Sequence, residues 1–121
     1  MKRDKYDALF SQYIRTRDKW TCQVCKRIYP PNSQGMHCSH IFSRRHNAIR
    51  YDERNAVAMC FPCHQHYGGN PIEGGEWARK YLGDDVVDAL IKLKNTPFKK
   101  TKIGQDAIYS ELKAKIKELE N

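Results

Sequence analysis

The sequence predicts a small α+β fold in which a strand–loop–strand–helix core is held by four cysteines and flanked by helices. Three observations predict it. Two Cys-x2-Cys pairs, Cys22/Cys25 and Cys60/Cys63, sit where one tetrahedral metal would tie both ends of the core together. Short apolar runs lie between those pairs, bounded by turn-prone and basic residues. Amphipathic helical repeats occupy both ends of the chain. We read residues 1–121 as a single domain, with its core at about 20–70 and a helical extension at about 73–121.

Residues 5–17 read as a helix, because Tyr6, Leu9, Phe10, Tyr13 and Ile14 recur on one face. Cys22-Gln23-Val24-Cys25 reads as a metal knuckle, left through the turn Tyr29-Pro30-Pro31-Asn32. A strand is expected from Met36 to Phe42, then a polar connection over 43–54, then a second strand near Ala56–Met59. A helix should begin at Pro62 or Cys63 and stop at Gly68-Gly69-Asn70-Pro71, since paired glycines and Asn-Pro break helices. Glu76–Leu82 and Asp84–Lys94 read as two more helices, punctuated by Gly83, with Asp84 as N-cap. Thr96 to Gln105 reads as a basic linker. A last helix over 106–120 carries Ile108, Leu112, Ile116 and Leu119 on one stripe, a face through which a dimer is conceivable.

The formal net charge is +8 and the isoelectric point about 9.3, which implies a polyanionic partner; charge alone leaves nucleic acid and a merely basic solvated surface equally open. No apolar run approaches the roughly 18–20 residues that span a bilayer, so no membrane partner is expected. Met1-Lys2-Arg3-Asp4-Lys5 lacks the apolar core of a secretory signal, and a cytoplasmic location is the expectation. Cysteine pairs in a reducing compartment are more often metal ligands than disulfides. Cys22, Cys25, Cys60 and Cys63 are therefore assigned to a structural Zn2+, while Cys38 reads as a small buried hydrophobe.

Between and just after the cysteines stand His37, His40, Asn55 and His64. Phosphodiester hydrolysis needs an activated water, a cation near the leaving oxygen and charge neutralisation at phosphate. A neutral imidazole at His40 suits the first task. Asn55 can hydrogen-bond backbone and so hold the loop that precedes it. His64, beside the second knuckle, would face His40. Arg44, Arg45, Arg50 and Arg54 crowd the same loop. Arg44 and Arg45 read as phosphate ligands; Arg50 and Arg54 either grip phosphate or pair with acids such as Asp52 and Glu53. His46 and His66 receive no role, and Trp77 and Tyr81 read as core.

Cys22-x2-Cys25, His40, Asn55, Cys60-x2-Cys63 and His64 together resemble the HNH endonucleases of ββα-metal fold. The wider pattern is similar to the NinG/Rap group of phage recombination endonucleases. Its carriers are Tyr13–Asp18, Ser43-Arg44-Arg45-His46, Arg50-Tyr51-Asp52-Glu53-Arg54-Asn55, and Cys63-His64 leading to Gly69-Asn70, within roughly residues 6–95. The resemblance implies a metal-dependent DNA endonuclease in which His40 is the general base, Asn55 positions the loop and His64 binds the catalytic cation. It also implies weak sequence preference, with branched or recombination intermediates as candidate substrates.

One position departs from that pattern. HNH enzymes commonly carry Asp or His before the base, as a second cation ligand, and this chain has Ser39. His37 shares a strand face with Ser39 and either supplies the missing ligand or leaves it to Ser39 or water. Imidazole ligands favour Mn2+ or Ni2+ over Mg2+. The competing reading is a non-catalytic zinc module that binds DNA or a protein.

Overall fold

The computed structural model describes residues 2–121. Helix α1 (Lys5–Arg17) begins at a reciprocal cap: the Asp4 carboxylate accepts the Asp7 N–H at 2.8 Å, and the Asp7 carboxylate accepts the Asp4 N–H at 3.0 Å. Phe10, Tyr13 and Ile14 bury the apolar face that the sequence predicts. The chain then reverses through Lys19 and Trp20, both left-handed at φ 56° and 54°. Trp20 inserts into the core, and the knuckle is pinched by a bridge between Thr21 and Ile28.

Strands β1 (Met36–His40) and β2 (Ala56–Cys60) pair antiparallel, with His37 opposite Met59 and His40 opposite Ala56. All five β2 residues are buried, whereas β1 buries only Met36 and Ser39 and leaves His37, Cys38 and His40 partly exposed. The outer edge of β2 is covered: Asp18 accepts the Ala58 N–H, Gln23 donates to the Ala58 carbonyl and Arg17 to the Ala56 carbonyl. β1 stops at His40, short of the expected Phe42, because the Asn55 side chain takes both backbone groups of Phe42.

Four helices follow: α2 (Phe61–Gly69), α3 (Pro71–Leu82), α4 (Asp84–Lys94) and α5 (Lys102–Glu120). α3 begins five residues before the expected Glu76. Pro71 is preorganised for a first helical turn, which lets α3 start directly after α2. Gly83 (φ 91°), not Asp84, caps α4. α5 begins at Lys102 rather than 106, because the Thr101 hydroxyl accepts the Gly104 N–H at 3.0 Å.

α5 packs along α1, with Leu112 buried and Ile108 and Ile116 partly so; Leu119 stays exposed. The stripe that suggested a dimer is thus occupied within the chain. Apolar side chains gather in two clusters, one around Trp20, Cys22 and β2, the other between α1 and α5. Among the described residues, no helix is long and apolar enough to cross a membrane.

Candidate functional site

The four cysteines converge. The sulfurs of Cys22, Cys25, Cys60 and Cys63 all lie within 4.8 Å of one another, the only such group of three or more metal-binding side chains among the described residues. Cys25 and Cys60 sulfurs are 3.7 Å apart, too far for a disulfide and close to the ~3.8 Å edge of a tetrahedron with 2.3 Å metal–sulfur bonds. Burial opposes the Cys22 thiolate, but N–H groups of Cys25, Cys60 and Val24 outweigh it and bring the thiol down to about 7. Burial and neighbouring sulfurs push Cys63 upward, and burial does the same at Cys60. Several thiolates in so small a space need a cation among them, and this donor set suits a tetrahedral metal such as zinc. Cys38 stands apart; burial raises its thiol to about 12, and it packs beside α1 as a hydrophobe.

A cavity of about 670 Å³ runs between α1, β1 and the start of α2. Its wall includes His37, His40 and His64 but no residue of β2, so it follows the unpaired edge of β1. Strand alternation sends His37 and His40 to opposite faces. The His40 ring lies against Phe10 of α1 at 5.5 Å between centroids. The His37 ring meets His64 nearly edge-on, at an interplanar angle of 88°.

The Nδ1 atoms of His37 and His64 are 3.0 Å apart. Two nitrogens on one cation at about 2.1 Å, at angles near 90–110°, would be separated by about 3.0–3.4 Å. This pair therefore has the spacing of adjacent cation ligands, and burial, followed by the charge of His37, lowers the pKa of His64 and favours its ligating neutral form. Ser39 contributes to a different cavity, between β1 and helices α2 to α4, which His40 and His64 also border.

His40 Nε2 lies 3.0 Å from the Arg50 carbonyl. A carbonyl only accepts, so Nε2 carries the hydrogen and Nδ1 of the neutral ring keeps its lone pair. Burial lowers the pKa of His40, against the Arg50 hydrogen bond, which keeps the ring neutral at pH 7.

Asn55 fixes the loop that supplies this partner. It is fully buried; its Oδ1 accepts the Phe42 N–H at 2.8 Å, and its Nδ2 donates to the carbonyls of Phe42 and Ile49 at 3.0 and 3.1 Å. One side chain thereby closes the 41–54 connection and places the Arg50 carbonyl over His40.

The arginines divide. Arg50, expected among the phosphate ligands, is 5% exposed, pairs with Asp7 through two hydrogen bonds, and lies 3.6 Å from Asp4. It is a buried brace between loop and α1, and the assignment to nucleic acid is corrected. Arg54 pairs with Asp52 at 2.8 Å. Arg44 lines the histidine cavity and lies 3.3 Å from Asp7, while Arg45 is exposed. His66 is exposed and meets Glu73 at 3.0 Å. Trp77 packs on the cluster around Trp20, and Tyr81 stacks on Trp77 at 4.8 Å while remaining 40% exposed.

Comparisons with family models, with curated proteins and with solved structures find no match. The site must therefore be read from its own chemistry.

That chemistry includes residues the sequence did not single out. Arg3 and Arg15 of the N-terminal segment line the histidine cavity with Arg44. Arg15 donates to the Ser11 and Met36 carbonyls and lies over Trp20 at 4.7 Å. The helical period put Ser11 and Arg15 on one face, but only the docking of α1 beside β1 makes that face a cavity wall.

Proposed function

We propose that the protein is a metal-dependent DNA endonuclease of the HNH type, with one structural Zn2+ on Cys22, Cys25, Cys60 and Cys63. The observation that carries this reading is the 3.0 Å pairing of His37 and His64 in the same cavity as a half-buried, neutral His40. The order β1, loop, β2, α2 fits the ββα-metal core that the motif resembles.

His40 is the general base. Its Nδ1 takes a proton from water while Nε2–H stays on the Arg50 carbonyl, so the ring's orientation is held as it becomes charged. The water oxygen forms the new bond to phosphorus, and the bond from phosphorus to the leaving oxygen breaks. His37 and His64 would hold the catalytic cation. A divalent cation bound there supplies Lewis-acid stabilisation of charge on the phosphate and the leaving oxygen. Arg3, Arg15 and Arg44 all line the cavity and give it the sign that phosphate requires. Among the described residues no recognition helix for base readout is evident, so phosphate contacts should dominate and sequence preference should be weak.

The test is conversion of supercoiled plasmid to nicked or linear forms with each of Mn2+, Ni2+ and Mg2+. Imidazole ligands suit Mn2+ and Ni2+ better than Mg2+. Cleavage is expected to be faster with Mn2+ or Ni2+, and His37→Ala to raise the cation concentration needed for half-maximal rate. Absence of cleavage with every cation, together with retained DNA binding, would establish instead a non-catalytic DNA-binding module. Ser39 favours that second reading, since no carboxylate stands before the base and Ser39 lines the other cavity.

A further inference from the structure

The lysines beyond the core are distributed unevenly. From Ala89 to Gln105 the chain carries Lys92, Lys94, Lys99, Lys100 and Lys102 and no acidic residue. The last turn of α4 supplies the first two, the exposed connection over 95–101 the next two, and the first turn of α5 the last. Lys102 pairs with Asp106 at 3.1 Å; among the described residues, the other four make no ion pair.

Position turns this run into a surface. The Lys94 ammonium lies 5.9 Å from the centre of the Phe42 ring, and Lys99 and Lys100 border a small hollow of about 210 Å³ together with Asn47 and Tyr51. Phe42, Asn47 and Tyr51 all belong to the connection between β1 and β2 that carries Arg44 and Arg45. The lysine strap therefore crosses that connection and extends its positive charge away from the histidine cavity. The N-terminal end of the 19-residue α5 adds its own positive field at Lys102.

We infer that residues 92–102 form a second phosphate-binding surface, which holds duplex DNA outside the cleft. This inference rests on the nuclease reading for the identity of the polyanion. A bilayer is the poorer partner. Phe98 and Ile103 are exposed, but the apolar stripe of α5 that would have to enter lipid packs on α1. Lysines spaced along a stretch free of acidic residues match a row of phosphates, each neutralised separately by releasing its counterion.

The experiment measures binding of short random-sequence duplex DNA across a salt series without added divalent cation. It compares the full-length protein with Lys99→Gln/Lys100→Gln and with Lys99→Arg/Lys100→Arg. All four replacements are at exposed positions, and zinc content and circular dichroism check the fold. The glutamine pair is expected to flatten the slope of log K against log salt by about 1–2 and weaken binding about ten-fold at moderate salt. The arginine pair should keep the wild-type slope. The rate of plasmid cleavage at saturating DNA should be unchanged in both. Wild-type binding with an unaltered slope in the glutamine pair overturns the strap while leaving the nuclease reading intact. No duplex binding by the wild type overturns both. Preferential binding of anionic phospholipid vesicles, lost in the glutamine pair, overturns the strap in favour of a membrane.

Discussion

Asp7 caps its own helix, neutralises Arg50 and lies beside Arg44, all from a buried position on the cavity wall. Burial alone would raise its carboxyl, but the hydrogen bonds from Arg50 and from the Asp4 backbone, with the Arg50 charge, hold it at about 2. The ordinary value is 3.8, so stability from the ionised pair is complete above about pH 4 and is lost as the pH falls towards 2. Asp7→Ala strands a buried guanidinium and should cost roughly 3–5 kcal/mol in urea denaturation at pH 7. Asn55→Ala acts differently. It orphans the Phe42 N–H and carbonyl, each at roughly 1–3 kcal/mol if water cannot reach it, leaves the Ile49 carbonyl with only the Asp52 N–H, and frees the loop that holds His40. Hydrogen exchange at the Phe42 amide should accelerate, and cleavage should fall further than the stability loss explains. The role of Asn55 was legible because an amide side chain both donates and accepts, and its place at the end of a polar loop left backbone as its partner. The role of Arg50 was not. Its partner lies 43 residues upstream, and local sequence offered the nearer acids Asp52 and Glu53 instead.

At the scale of elements, spacing reveals what one element does alone and conceals what two do together. The periodicity of α1 predicts its buried face because a helix with one apolar side has one way to dock. The start of α3 was hidden because Gly68-Gly69-Asn70-Pro71 reads only as the stop of α2, whereas Pro71 also opens the next helix. α5 was read four residues short because Thr101 was counted with the linker and not as a cap. The knuckles were legible in full, since two Cys-x2-Cys spacings have few other uses. They also set the site: Cys60 ends β2, Cys63 lies in the first turn of α2, and His64 follows directly. Cys60→Ser should therefore lower zinc below one equivalent per chain and lower the melting temperature, as strong chelation of the wild type should. Elemental analysis with thermal melting checks both; a full equivalent and native melting in the variant would contradict the four-cysteine site.

Over the whole molecule, the two antiparallel strands are clasped by α1 and α5 on one side and by the cysteine cluster and α2 on the other. The histidine cavity opens along the one strand edge left unpaired. This layout separates functions: the cysteines fix the fold, Asn55 and Arg50 fix the loop, and His37, His40 and His64 remain to act. It also makes the central claim separable from stability. His40 contributes one hydrogen bond and contact with Phe10, and no sulfur or cation ligand depends on it. His40→Ala should keep its zinc equivalent, its circular dichroism and its affinity for duplex DNA, while plasmid cleavage in Mn2+ slows by about 10²–10⁴. The decisive measurement is that cleavage rate, with wild type and variant purified side by side. Loss of that size with binding retained is the result the account predicts; a variant that cuts at the wild-type rate would contradict it.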